Sequence, residues 1–541
     1  MHVSAPENTT IRVAACQWQS VTGDVPANWA LAEGLLEQAH RQQAQLAVMP
    51  EMGLSGYIWR EKAAIEPLAV LCSSAEVQNQ WVAAAQKFDM WLVVGHPGVD
   101  EPTGTLRNRC TLVSPEGIVG HYDKTCLFPE DTHWAAPGTL PPPVWETPWG
   151  RVAPLICADM DYPEPLHHAV TNGAELIAFP TAWVEEPAPS AVWTIRAHEL
   201  GIPVVAADLF GVDQGVVFSG GSCIIDGTGE VVDSIDYETG VVIADLTLRM
   251  GVAPAAPTSH EVRRVELPSG GLEGRLQVDL AVSGTDLTVG LGNILQPPTA
   301  DIVVVKALTV TSASEHDEAL HTLRSMAEAG DQVVVGSVIN QTTGVAHVVT
   351  SHRGAPCQPV ATAHRGADGV WQAGTPAAQA GLFSLGEVHI AVIGAWELRH
   401  FFVTRALAAQ GVHVVVACGP AALSPPRRRE ASQAPFVLAL GGEEPYFAHP
   451  GRFRAGDSNV WLALASESPD MPSGIFSPNH VWWPRREAVA ESESWVLATC
   501  TADTSNPWGE QSVSKPLVSG RRSDIYPDLW RVVGSGSPPA P

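Results

Sequence analysis

RVAPLICADMDYPEPLHHAVTNGAELIAFPTAW, residues 151–183, reads as strand, turn, helix and second strand. The runs VAPLI and LIAF are apolar, rich in Val, Ile, Leu and Ala, and punctuated by Pro, Asp or Gly, which is the pattern of buried strands. Between them, PEPLHHAVTNG begins with Pro and ends with Gly, as a capped helix does. Cys157 falls where the first strand gives way to the helix. Backbone N–H groups at such a turn are expected to lower a thiol pKa and to help hold an oxyanion.

The same alternation extends on both sides. IRVAACQ (11–17), AQLAVMPE (44–51), MWLVVGHP (90–97), RCTLVSP (109–115), IPVVAADL (202–209) and GSCIIDGTG (221–229) are further strand candidates, and NWALAEGLLEQAHRQQ (28–43) has helical spacing. Strands alternating with helices indicate an α/β layered domain. From residue 251 to 284 the periodicity lapses into Pro, Gly and Ser punctuation, which reads as a linker or interdomain arm. A second α/β series follows, with ADIVVVKAL, DQVVVGSVI, VAHVVTSHRG, VHIAVIGAW, VHVVVACGP and SWVLATCTA in order. The expected organisation is a short segment 1–10, a domain 11–250, the arm 251–284, a second domain 285–532 and a disordered tail 533–541.

Length and composition agree with two domains. The chain has 541 residues, 45% hydrophobic and 16% charged, so it can bury large cores. Its net charge is −27, and the longest basic run is Arg427 to Arg429. Nucleic acid and anionic membranes, which rely on basic patches, are not expected partners. The amino terminus shows no basic stretch followed by an apolar core, and no apolar run reaches membrane-spanning length, so a cytoplasmic location is expected. Nine cysteines without CxxC pairs argue against a disulfide framework and against a zinc site, and no metal or other cofactor is expected.

The two series align with each other. Laying 110–138 on 347–374 matches Ser114 with Ser351, Gly117 with Gly354 and Trp134 with Trp371, which indicates an internal duplication.

Two further reactive side chains stand just beyond strands of the first half, where rigid elements meet exposed loops. Glu51 closes AQLAVMPE; a carboxylate held in a dry site can take a thiol proton and return it to a leaving amine. Lys124, in GHYDKTCLF, is a cation that can hold charge developing on a carbonyl oxygen and favour a thiolate.

With PEMGLSGY (50–57), YDKTCLF (122–128), CADMDYPE (157–164), GAELIAFPTAW (173–183) and RAHELGIPVVAADLFG (196–211) in this order, residues 11 to 250 resemble the nitrilase, or carbon–nitrogen hydrolase, superfamily. The resemblance implies a four-layer αββα sandwich and a Glu–Lys–Cys triad of Glu51, Lys124 and Cys157. Cys157 would form a thioester with an amide or nitrile carbon, Glu51 would move protons, and Lys124 with the Ala158 N–H would bind the oxyanion. The family's additional acid corresponds to Glu130 or Asp131, and spacing to Gly138 favours Asp131. Ala158 and Asp159 after the nucleophile resemble the amidase side of the family, with a small-molecule amide as substrate. Tyr57 and Trp183 are expected in the pocket wall, and Asp161 is expected to favour a neutral or cationic amide.

The second half aligns as a degenerate copy in which Ala307 or Lys306 stands for Glu51, Ala361 for Lys124 and Gly394 for Cys157. Because the family pairs two sandwiches, the expected architecture is a tandem of nitrilase-like sandwiches packed as an internal pseudodimer, with monomer and homo-oligomer both open. An acyltransferase using the same thioester, a nitrilase or carbamoylase, and a non-catalytic binding pseudoenzyme are the competing readings.

Overall fold

A computed structural model describes residues 8–100, 102–184, 188–249, 261–264, 277–283, 299–352, 355–366, 371–373, 379–399, 401–420, 450–466, 473–478, 488–489, 495–501 and 524–526. The chain divides into two compact units. The first holds residues 1–255 with 426–445 and 520–527; the second holds 256–425, 446–519 and 528–541.

In the first unit the apolar runs form two six-stranded sheets. One has the order Gly240–Arg249, Asn8–Gln17, Leu46–Val48, Trp91–Asp100, Thr105–Ser114, Gly117–Asp123. Its contacts between Asn8–Gln17, Leu46–Val48 and Trp91–Asp100 are parallel, and the outer pairings are antiparallel. The other runs Val231–Ser234, Cys223–Ile225, Val204–Asp208, Leu176–Thr181, Gly150–Pro154, Trp145–Thr147, again parallel at its centre. The strand expected from Ile11 begins earlier, at Asn8, within the short segment expected over 1–10.

Helices cover both sheets. Val25–Arg41 starts with the Asp24 carboxylate accepting the Ala27 N–H at 3.0 Å and carries His40 and Arg41 in its last turn, where cations suit the helix dipole. Its Ala32, Leu35, Leu36 and Ala39 join Trp81, Ala84 and Ala85 of Ala75–Phe88 in one core with Ala14, Ala47 and Leu92 of the first sheet. On the second sheet, Trp193 of Ala191–Leu200 stacks edge-on against Phe179, with ring centroids 5.5 Å apart.

Among its described residues, the second unit forms two large sheets. One runs Trp495–Thr501, Gln277–Ser283, Ile302–Val304, Val333–Asn340, Val345–His352, Gln358–Arg365, Trp371–Ala373. The other runs Glu261–Arg264, Gln379–Leu385, Val388–Gly394, Val414–Gly419, Trp461–Ser466, Gly474–Phe476, Ala488–Val489.

The arm expected over 251–284 needs correction. Glu261–Arg264 and Gln277–Ser283 are strands of the second unit. QVDLAVS alternates so that Val278, Leu280 and Val282 are buried, which is enough to seat a strand between Ile302–Val304 and Trp495–Thr501 despite the surrounding Gly and Pro. The tail expected at 533–541 lies outside the described residues.

Candidate active site

Three buried groups from separate strand ends of the first unit, Glu51, Lys124 and Cys157, lie close enough to act on one another electrostatically. Glu51 follows the parallel strand Leu46–Val48, and its backbone N–H reaches the Thr181 carbonyl of the facing sheet at 3.3 Å. Lys124 follows Gly117–Asp123 and is held on both sides, its N–H on the Asn108 carbonyl at 2.9 Å and its carbonyl on the Gly138 N–H at 2.8 Å. Gly138 is required there, because a Cβ would fall 2.2 Å from the Asp123 carbonyl oxygen. Cys157 opens the 3-10 turn Cys157–Met160 just after Gly150–Pro154. Its φ of +42° is unusual for a residue with a side chain, and such strain concentrates at functional sites.

The polar contacts are closed and short. Lys124 Nζ donates to Glu51 Oε1 at 2.7 Å and to Asp131 Oδ2 at 2.6 Å. Asn108 Nδ2 donates to the same Glu51 Oε1 at 2.7 Å and to Asp131 Oδ1 at 2.9 Å. Asp131, rather than Glu130, therefore reaches the ammonium, because the 3-10 turn Pro129–His133 faces Asp131 inward and ties it to the Phe128 N–H. Glu51 Oε2 is buried without a partner, which leaves a lone pair for a proton in transit.

Electrostatics distinguish the roles. Burial pushes the Glu51 carboxyl up to about 7; the Lys124 charge opposes the rise and Asp131 adds to it. Burial pulls Lys124 down, but Asp131, Glu51 and Cys157 together hold it well above its usual value, so it stays charged. Burial, with Glu51 adding, pushes the Cys157 thiol well up, while Lys124, the Thr181 hydroxyl and the Ala182 N–H draw it partly back. This corrects the expected lowering of the thiol pKa. The turn's dipoles and the Lys124 charge do not outweigh a dry site beside a carboxylate. A raised thiol pKa keeps Cys157 in the thiol form, so any attack by its sulfur would require a neighbouring base.

Tyr57 lies beneath Lys124, with Nζ 5.7 Å from its ring centroid, and its ring meets Phe218 edge-on. Trp183 is buried against Phe179 and Trp193, and its backbone N–H donates to Asp208 Oδ1 at 2.8 Å. Asp161 caps the nucleophile turn and is 3% exposed, its carbonyl accepting from the buried Arg196 Nη2 at 3.3 Å. Ala158 occupies the first turn, where N–H groups lack intrahelical acceptors.

Asn108 and Asp159 do not stand out from sequence reasoning as site residues. Asp159 Oδ1 accepts the Cys126 N–H and Oδ2 the Ile156 N–H, so one carboxylate ties the segment after Lys124 to the residue before Cys157. The available signal was an Asn in the middle of the otherwise buried strand Thr105–Ser114. Among the described residues, no cluster of three or more His, Cys, Asp or Glu could hold a metal ion, and no helix is long and apolar enough to cross a membrane.

The carbon–nitrogen hydrolase family profile matches residues 12–253. A nitrilase from Pyrococcus abyssi is 30% identical over 241 residues, 44% of this chain and 91% of the relative. An omega-amidase from Escherichia coli is 29% identical over 248 residues, 44% of this chain and 90% of the relative. The crystal structure of an amidase from Nesterenkonia sp. overlays with a TM-score of 0.41 at 26% identity, covering 46% of this chain and 94% of that one.

Proposed function

Because the chain belongs to the carbon–nitrogen hydrolase family, we propose that its first unit hydrolyses a small-molecule amide through a thioester on Cys157. The observation that carries this reading is the closed cluster of Glu51, Lys124 and Asp131 coupled to a buried, positive-φ cysteine. The Glu51 carboxylate takes the Sγ proton as sulfur attacks the carbonyl carbon. Lys124 and the Ala158 N–H hold the resulting oxyanion. The C–N bond then breaks, and the proton on Glu51 passes to the departing nitrogen, releasing ammonia or an amine. Water enters, Glu51 takes its proton, and attack on the thioester frees the acid and restores the thiol.

An amide is favoured over a nitrile by Ala158 and Asp159 after the nucleophile. Release of ammonia and acid from a panel of small amides, nitriles and ureido compounds tests the reading. Wild-type hydrolysis of amides with none by Cys157→Ala is expected. Failure of the wild type on every amide, or wild-type rates in Cys157→Ala, would overturn it.

For the second unit we infer a non-catalytic copy of the first, supported by the repeated strand order. From Trp495–Thr501 through Gln358–Arg365 the neighbours are antiparallel, parallel, parallel, antiparallel, antiparallel, the same series as from Gly240–Arg249 through Gly117–Asp123. Ala307 stands three residues beyond Val304, as Glu51 does beyond Val48. Strand register, followed across a bulge in each sheet, sets Thr362 opposite His347 as Asp123 is opposite Arg109, so Ala363 is the counterpart of Lys124. The hairpins leading in, with Thr147 opposite Gly150 and Leu385 opposite Val388 across two-residue turns, align Pro154 with Val392 and so make Ala395 the counterpart of Cys157. Register thus gives Ala363 and Ala395 where alignment by sequence gave Ala361 and Gly394. None of these residues supplies a thiol, an acid or an amine.

A further inference from the structure

The first unit includes residues 520–527, and Tyr526 among them is 2% exposed. Its hydroxyl lies 3.3 Å from Thr125 Oγ1, 401 residues away in sequence. Its ring meets the His168 ring edge-on, with centroids 5.8 Å apart, on the helix Pro163–Thr171 that follows the nucleophile turn. Thr125 immediately follows Lys124. Its own proton goes to Asp159 Oδ1 at 3.0 Å, and the Tyr122 proton goes to Asp159 Oδ2 at 2.9 Å. The Thr125 oxygen is therefore the acceptor and Tyr526 O–H the donor.

From these contacts we infer that Tyr526 is a positioning residue for the reaction. The hydrogen bonds run Tyr526 O–H to Thr125, Thr125 O–H to Asp159, and Asp159 to the N–H groups of Ile156 and Cys126 at 3.0 and 2.9 Å. The two ends of this chain of bonds are the residue before the nucleophile and the second residue after the lysine. Each link polarises the next, so a donor at its head strengthens the grip of the carboxylate on both segments. The catalytic centre then depends on a segment near the carboxyl end of the chain, beyond Trp495–Thr501, the last described strand of the second unit.

The inference rests on the cysteine-hydrolase reading for its effect on rate, so the test pairs kinetics with a measurement that needs no turnover. Tyr526→Phe in the full chain keeps the ring against His168 and removes only the donor; Thr125→Val removes the next link. Hydrogen–deuterium exchange is followed over residues 124–127 and 154–160, and kcat is measured per Cys157 able to accept an acyl group. Tyr526→Phe is expected to speed exchange in both segments and to lower kcat roughly tenfold with KM little changed, because misplacement by fractions of an ångström slows attack. The double variant is expected to lose no more than Thr125→Val alone.

Wild-type exchange in Tyr526→Phe, or kcat losses that multiply in the double variant, overturns the inference. A wild-type chain without amide hydrolysis whose exchange still quickens in Tyr526→Phe rejects the hydrolase reading and upholds the coupling. Normal turnover with unchanged exchange rejects the coupling alone.

Discussion

The Lys124 ammonium lies 2.7 Å from Glu51 Oε1, and neither side chain has any contact with solvent. A buried cation between two carboxylates is held firmly only while both acids are charged and aimed, since each buried ion depends on its partners for the hydration it has lost. Asp131→Asn removes one of the two charges, and its single amide oxygen can accept from Asn108 or from Lys124 and Phe128, but not from both sides. Steady-state kinetics should show kcat lowered by roughly 10²-fold, the scale of a lost oxyanion donor, with a much smaller change in KM.

The acid limb of the pH profile should belong to Glu51. Burial pushes its carboxyl up to about 7, and the base form is the one that accepts the thiol proton. Activity therefore rises as pH rises through about 7 and falls away below it, where the carboxyl is protonated. A profile of kcat/KM against pH checks this, and Glu51→Gln should abolish turnover at every pH rather than move the limb.

Gly95 supports the base from below. A Cβ built there would lie 2.2 Å from the Pro50 carbonyl oxygen and 2.9 Å from Glu51 Cα, and both contacts are with backbone that has no flexible end to yield. Gly95→Ala should displace Glu51 and cost roughly 10²-fold in kcat, because small misplacements of a catalytic group are expensive. A crystal structure of the variant should show the segment 50–52 moved away from the strand Trp91–Asp100.

We propose that Asp161 bears on substrate charge. It lies four residues beyond the nucleophile and is buried at the end of its turn. Asp161→Asn should narrow the preference for cationic over neutral amides, read as the ratio of kcat/KM values for a matched pair. An unchanged ratio would assign Asp161 to the turn alone.

Much of this site was legible in the chain itself. Glu51 and Cys157 each follow an apolar run, and Lys124 follows the strand Gly117–Asp123; a strand end is a position that sequence periodicity marks well. Asn108 was hidden because a polar residue within a strand carries no local label of the two carboxylates it bridges. Tyr526 was hidden for a stronger reason, since its partner Thr125 is 401 residues distant and only the folded chain brings them together. The strand Gln277–Ser283 was obscured by Pro and Gly on either side, although its own alternation was intact. The direction of the Cys157 shift depended on burial, and no motif reports how dry a turn is.

Intact-mass spectrometry of the full chain during turnover of a small amide tests the central claim most directly. The expected result is a mass increase equal to the substrate's acyl group, located by fragmentation on Cys157, decaying as substrate is exhausted and absent in Cys157→Ala. Turnover with no acyl adduct at Cys157 under rapid acid quench, together with hydrolysis by Cys157→Ala at the wild-type rate, would contradict it.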